Sequence, residues 1–175
     1  INCFTDTLVA MGPDGGFYPL LAESWEASEE GKVWVFYLAD GITFHDGTPW
    51  NAQALIANFE RVRADETKSL WFVDKIRGIE TMEAVDDMTV KLTFDEAKPG
   101  FLITISQPGT GFISPTAFNN PVNTKAEDKY VGTGPFVLTE EIYQQRVTMV
   151  KNDDYAWAPS YMAHQGAPLI DELIW

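Results

Sequence analysis

LAESWEASEEGKVWVFYLADGITFHDGTPWNAQALIANFER, from Leu21 to Arg61, is the stretch whose reading decides the fold. It spells a turn, a strand, a turn, a strand, a turn and a helix in that order. Ser28-Glu29-Glu30-Gly31-Lys32 is polar and carries a glycine near its end, the composition of a chain reversal. Val33 to Leu38 is a strand, because β-branched and aromatic residues fill it and Gly and Pro are absent. Trp34, Phe36 and Leu38 share one face; Val33, Val35 and Tyr37 share the other. Both faces are apolar, so the strand is expected to be covered on both sides. Ala39-Asp40-Gly41 turns the chain, Ile42-Thr43-Phe44 reads as a second short strand, and His45-Asp46-Gly47 turns it again. A helix is predicted over 52–64 with Asn51 as its N-cap, since that side chain accepts from the free amides of the first turn. Leu55, Ile56, Phe59 and Val62 make its apolar stripe, while Gln53, Glu60, Arg61 and Arg63 face water.

Upstream, 3–10 reads as an edge strand or strand-to-turn segment, and Gly12-Pro13-Asp14-Gly15-Gly16 as a turn. Downstream, 65–70 is a polar loop and Trp71-Phe72-Val73 opens a short helix or turn. A strand over 76–84, irregular at Gly78, is joined by an Asp86-Asp87 hairpin turn to a half-exposed antiparallel strand over 88–94. Pro99 fits the first turn of a short helix over 99–106. Phe112-Ile113 is a brief extended piece, 115–118 a helical turn and 119–127 an exposed loop. A hairpin over 136–141 and 146–151, a long loop over 152–167 and a last strand over 169–174 complete the chain. The fold class is α+β: a mixed, mainly antiparallel sheet with packed helices.

The totals bound the function. At 175 residues the chain has one domain's worth of core, and 45% hydrophobic with 13% aromatic content is globular. A net charge of −14 argues against nucleic acid and anionic membrane surfaces. No run of about 18 apolar residues is present to span a membrane, and because Ile1-Asn2-Cys3 leads at once into polar residues, a signal peptide is not expected within these 175 residues. Cys3 is the only cysteine, so no internal disulfide is possible.

Catalytic and metal patterns are weak. His45 and His164 are far apart and neither belongs to a HExxH or HxxxH spacing, so no zinc site is expected. The acid pairs Glu29-Glu30, Asp86-Asp87 and Asp153-Asp154 sit in turns, where carboxyls are solvated, whereas acid–base catalysis needs two carboxyls facing a shared cleft. Gly109-Thr110-Gly111 and Gly132-Thr133-Gly134 are not followed by helices, so neither cradles phosphate. No GxSxG supports a serine nucleophile.

Three ordered blocks carry a resemblance. They are Leu21-Ala22-Glu23-Ser24-Trp25 through Asp40-Gly41-Ile42-Thr43-Phe44-His45-Asp46-Gly47-Thr48-Pro49 to Asn58-Phe59; then Val131-Gly132-Thr133-Gly134-Pro135-Phe136; then Lys151-Asn152-Asp153-Asp154-Tyr155-Ala156-Trp157 with Pro168 to Ile174. Together they resemble the extracytoplasmic solute-binding proteins of ABC transporters, the class carrying oligopeptides, dipeptides and nickel. The resemblance implies a two-lobed periplasmic-binding-protein-like fold, of which residues 1–175 are expected to be an N-terminal fragment carrying part of lobe one, the second lobe absent. It implies a receptor that captures a peptide, small molecule or metal chelate and presents it to a permease, outside the cytoplasm. A signal and any lipid anchor would lie upstream of this chain. It implies no catalysis and no cofactor.

The resemblance also points to site residues. In nickel-type members a Trp matching Trp71 faces the ligand, with a basic residue shortly before it, as Lys68 is here; burial of Trp71 in a local cluster is the competing reading. The run Gly111-Phe112-Ile113-Ser114-Pro115 is similar to the same branch, where an arginine stands at the place of Gly111 and holds an anionic chelate. A glycine offers only backbone and room, so a different, larger or less anionic guest is expected as much as a nickel chelate. Cys3 falls near a cleft-facing position, and a small buried thiol is its other reading. The ligand-facing set is therefore Cys3, Lys68, Trp71, Gly111 and Phe112, with no metal ligand among them. The alternative function is a small secreted hydrolase or carbohydrate-active domain, using an acid pair in an aromatic groove.

Overall fold

The computed structural model describes residues 3–64, 70–118, 125, 128 and 130–175. In chain order the strands are β1 (Val9–Met11), β2 (Phe17–Pro19), β3 (Ala22–Ser28) and β4 (Val33–Leu38). Helices α1 (Ala52–Ala64) and α2 (Leu70–Ile76) follow, then β5 (Ile79–Ala84), β6 (Thr89–Phe94) and helix α3 (Phe101–Ile105). A 3₁₀ turn at Pro115–Ala117 precedes β7 (Phe136–Ile142), β8 (Arg146–Lys151) and β9 (Glu172–Ile174). The α+β class and the antiparallel pairing expected from the sequence are both present, but among the described residues the strands divide among three sheets instead of joining one. These are β1-β2, β3-β4-β6-β5 and β7-β8-β9, and every pairing in them is antiparallel.

The four-stranded sheet holds the main core. β4 and β6 are its inner strands, and each buries alternate residues: Trp34, Phe36 and Leu38 on β4, Val90, Leu92 and Phe94 on β6. Val33, Val35 and Tyr37 are only half-buried, so β4 is covered fully on one face, a correction to the two-sided burial expected. Aromatic rings interlock beneath it: Phe94 and Phe101 stand 4.8 Å apart edge to face, and Trp34 stacks 6.0 Å from Phe36. The outer strand β3 keeps Glu23, Ser24 and Glu26 exposed, which blunts an open sheet edge.

Between β3 and β4 the reversal at Glu29–Gly31 is tighter than a simple turn. Gly31 takes a φ of 89°, and a Cβ there would lie 2.9 Å from the Pro99 backbone nitrogen. Only glycine allows both the conformation and the approach. Ile42-Thr43-Phe44 is not a strand; a single bridge joins Thr43 to Pro49. Proline has no N–H to extend the ladder, yet Ile42 and Phe44 still bury their side chains in the core.

α1 forms where its periodicity places it. Asn51 Oδ1 accepts from the Ala54 amide at 2.9 Å, and Leu55, Phe59 and Val62 are buried while Gln53, Glu60, Arg61 and Arg63 are exposed. Ile56 is half-buried at the margin of the stripe. Asn51→Ala should lower stability by about 1 kcal/mol, read as a shift of the urea midpoint at unchanged slope. The β7-β8-β9 sheet carries a second, smaller core of Phe136, Leu138 and Met149, against which Cys3 and Phe4 pack.

Candidate functional site

Residues 3–6 are where the separate parts meet. Phe136 N–H donates to the Cys3 carbonyl at 2.9 Å, and Gly134 N–H donates to the Phe4 carbonyl at 3.2 Å. Phe112 N–H donates to the Asp6 carbonyl at 3.1 Å. A segment that lies outside the regular strands thus takes backbone donors from two distant stretches. The two glycines at 132 and 134 permit this. A Cβ on Gly134 would lie 2.7 Å from the Phe4 carbonyl carbon, and one on Gly132 would overlap the Phe4 carbonyl oxygen.

The loop around His45 braces the same place. His45 N–H donates to the Gly132 carbonyl at 2.8 Å, and its Nε2 lies 2.9 Å from the Gly134 carbonyl. A carbonyl can only accept, so Nε2 carries the proton. Burial holds the imidazole below its usual value, although the Gly134 carbonyl and the Asp46 charge pull the other way. His45 is therefore a neutral strut.

The Asp6 carboxyl is the chemical centre of this junction. It is nearly fully buried, and its Oδ2 accepts from Thr133 Oγ1 at 3.1 Å and from Trp157 Nε1 at 3.0 Å. The Tyr155 side chain lines the same cleft as Asp6. Burial pushes the Asp6 pKa up to about 6, against the pull of the Trp157, Thr133 and Tyr155 side chains. Burial first, then the neighbouring Asp6 charge, raises the Tyr155 phenol. Beside the carboxyl opens a cleft of about 270 Å³ whose walls include Thr5, Thr7, Met11, Tyr155, Tyr161 and Met162. Polar and apolar groups share its walls about equally.

Of the residues singled out from sequence, Cys3, Gly111 and Phe112 fall in this neighbourhood. Cys3 is half-buried against the smaller core, and desolvation raises its thiol, so it is not poised as a thiolate. Gly111 corrects the expectation of room: a Cβ there would lie 2.7 Å from the Thr5 Cβ and closer still to its Oγ1. The glycine marks a close approach of two segments. Phe112 is 1% exposed, its ring 4.9 Å from Trp50 and 5.8 Å from Phe59. Its side chain builds the core beneath Gly111. Trp71 is the second residue of α2; its side chain, and Lys68 altogether, lie outside the described residues. His164 Nε2 lies 2.6 Å from the Ala167 carbonyl, and among the described residues no three of His, Cys, Asp and Glu converge as metal ligands would.

Asp6 escaped the sequence reading. Its partners lie 127 and 151 residues away, and no local periodicity reports such a pairing. The one available sign was the polar run Thr5-Asp6-Thr7 directly ahead of Leu8-Val9, all of it buried in the structure.

Over residues 16–175 the chain matches the family described as bacterial extracellular solute-binding proteins, family 5. The chain belongs to that family. This family-5 chain is 32% identical over 151 residues to the nickel-binding periplasmic protein of Escherichia coli (strain K12), covering 86% of its own length and 29% of the relative. It is 33% identical over 156 residues to the glutathione-binding protein GsiB of the same strain, covering 89% of its own length and 29% of the relative. Among solved structures it overlays on AgaA of A. tumefaciens R10, in complex with agropinic acid, with a TM-score of 0.82 and 29% identity. NikA from Brucella suis, in complex with Fe(III)-EDTA, overlays with a TM-score of 0.77 and 27% identity. Both overlays cover 99% of this chain and 33% of the other. The family-5 chain thus has the α+β fold of periplasmic binding proteins over a third or less of their length, and its relatives are, by name, binding proteins. The three motif blocks recognised in the sequence converge in space, since His45, Gly132 to Phe136 and Trp157 all bear on residues 3–6 or on the turn beside them.

Proposed function

We propose that this chain is part of the first lobe of an ABC-transporter solute receptor, which captures a small molecule, peptide or metal chelate without chemistry and presents it to a membrane permease. The observation that carries this reading is the family match over 16–175 together with the overlay on ligand-bound AgaA. The guest bridges two lobes and favours the closed state by its higher affinity for it, and the permease reads the closed shape. Gly111 and the backbone beside it, with Trp71 and Lys68, meet the guest. Phe112 supports them from the core, and Cys3 lies at the edge of the same surface. The receptor works outside the cytoplasm, in the periplasm or tethered to the outer face of the membrane by a lipid anchor outside this chain. No helix among the described residues is long and apolar enough to cross a membrane.

Two measurements test this. Native mass spectrometry of the receptor, purified without refolding, should show a co-purified small mass: a peptide ladder, a thiol tripeptide or a metal-containing species. An empty protein that turns over peptide or glycan would instead establish the hydrolase alternative. The 175-residue chain alone, with one wall of the cleft, should bind glutathione or the nickel–histidine chelate more weakly than about 10 µM; low-micromolar or tighter binding by calorimetry contradicts the two-lobe mechanism.

A further inference from the structure

Among the buried residues of α1, Asn58 alone is polar. It is 3% exposed and fully engaged. Its Nδ2 donates to the Ala54 carbonyl one turn back, at 2.9 Å, and to the Ile113 carbonyl, at 2.9 Å. Its Oδ1 accepts from the Ile113 amide at 3.2 Å. The segment it holds is bonded along its other edge by backbone: Phe112 N–H to the Asp6 carbonyl at 3.1 Å, and Ser114 N–H to the Val131 carbonyl at 2.7 Å. Residues 112–114 are therefore hydrogen-bonded on both sides, as an inner strand is, with one neighbouring strand replaced by a single side chain. A carboxamide suits this place because it sets one donor and one acceptor side by side in a plane, the pair that matches a peptide's own N–H and C=O. A carboxylate has no donor for the Ile113 carbonyl. Asp46 pins the far end: its Oδ2 accepts from Ser114 Oγ at 2.8 Å and from Thr116 Oγ1 at 2.5 Å.

We propose that Asn58 is a positioning residue for guest binding, its carboxamide fixing the Gly111–Ser114 segment in the place where that segment meets the guest. This rests on the receptor reading above, in which the backbone at Gly111 faces the ligand. Asn58 touches no guest itself; it acts through residue 113.

The test is amide hydrogen exchange by NMR on Asn58→Leu and Asn58→Asp, with each rate taken relative to wild type at the same pH. Asn58→Leu, which keeps volume and removes both groups, takes the acceptor from the Ile113 amide, and that amide should exchange about tenfold faster or more, while Phe112 and Ser114, whose acceptors are untouched, keep their protection. Asn58→Asp keeps an oxygen that accepts from the Ile113 amide, so there that amide should stay protected. Glutathione, followed at the Gly111 and Phe112 amides, should bind the Asn58→Leu variant about tenfold more weakly. Unchanged Ile113 exchange in Asn58→Leu, or equal loss at 112, 113 and 114, overturns the proposal. So does the expected exchange pattern accompanied by unchanged glutathione affinity. A wild-type receptor with both lobes that takes neither glutathione nor the nickel–histidine chelate, while the exchange pattern holds, overturns the receptor reading of the Gly111 surface and leaves Asn58 as the hold on that segment.

Discussion

Asp6→Asn should gain about 2 kcal/mol of stability relative to wild type as the pH is raised from 4 to 7. In the folded protein, burial moves the Asp6 carboxyl from 3.8 to about 6. Below the lower value both folded and unfolded chains hold the proton, and Asp6 contributes no slope. Between the two values the folded chain keeps its proton and the unfolded chain has lost it. The unfolded state binds fewer protons there, so each step up in pH destabilises the fold. Above about 6 both states are ionised and the loss is complete. The asparagine variant is isosteric and never ionises. Its oxygen can accept from Thr133 and Trp157 as Oδ2 does now, and the Tyr155 hydroxyl can turn to accept from the new amide. Other groups titrate in or near the same window and must be separated. Burial holds His45 below 6.5, so it contributes the opposite slope, with stability rising as pH passes its depressed value. Asp46 lies below the usual carboxylate value: burial opposes this, but the donors Thr116, Thr48 and Ser114 outweigh it, and its slope falls below pH 4. Both are common to the two proteins and cancel in the difference. Urea unfolding followed by tryptophan fluorescence at half-unit pH steps measures that difference. Parallel curves for wild type and variant across pH 4 to 7 would mean that Asp6 is ionised in the fold and not penalised by its burial.

How much of this was legible in the sequence depends on how local the cause is. α1, its cap at Asn51 and the alternation of β6 follow from neighbours in the chain, and each is where the residues place it. So is the β7–β8 hairpin. The failures involve distance. β4 looked two-sided because valine and tyrosine fill strands for their shape as well as for burial; which face is covered depends on α1 and α3, not on β4. Ile42–Phe44 looked like a strand because its side chains are core residues, and a turn can bury side chains without a ladder. Gly111 was read as open space when Thr5, more than a hundred residues earlier, occupies it. The family was visible because its three blocks are contiguous motifs. The junction that joins them was not, because Asp6, Thr133 and Trp157 are each ordinary where they stand.

Gly132→Ala should cost about 3 kcal/mol or more and disturb the Asp6 junction at a distance. The reason is backbone against backbone. A methyl at 132 falls on the Phe4 carbonyl oxygen, with the Phe4 carbonyl carbon at 2.8 Å and Thr5 Cγ2 at 2.9 Å. A flexible side chain could swing aside from such a contact, but a carbonyl can move only if its peptide moves. Phe4 is held by the Gly134 amide at 3.2 Å, and its neighbour Cys3 by the Phe136 amide at 2.9 Å. Relief of the overlap therefore drags the segment that carries Asp6 away from Thr133 and Trp157. Gly100→Ala is the control. Its φ of −88° suits any residue, and a Cβ there meets nothing within 4 Å. That change should stay within about 0.5 kcal/mol of wild type. Urea midpoints measure both, and the Trp157 indole N–H resonance measures the second effect. Its hydrogen bond to Asp6 should lengthen or break in Gly132→Ala and remain in Gly100→Ala. If Gly132→Ala matches the control in stability, the packing of residues 3–6 against 132–136 is loose enough to admit a methyl. Those residues would then not be what holds the three motif blocks together. If it loses stability while the indole signal stays in place, the strain is absorbed locally and the Asp6 junction stands independently of the glycine turn.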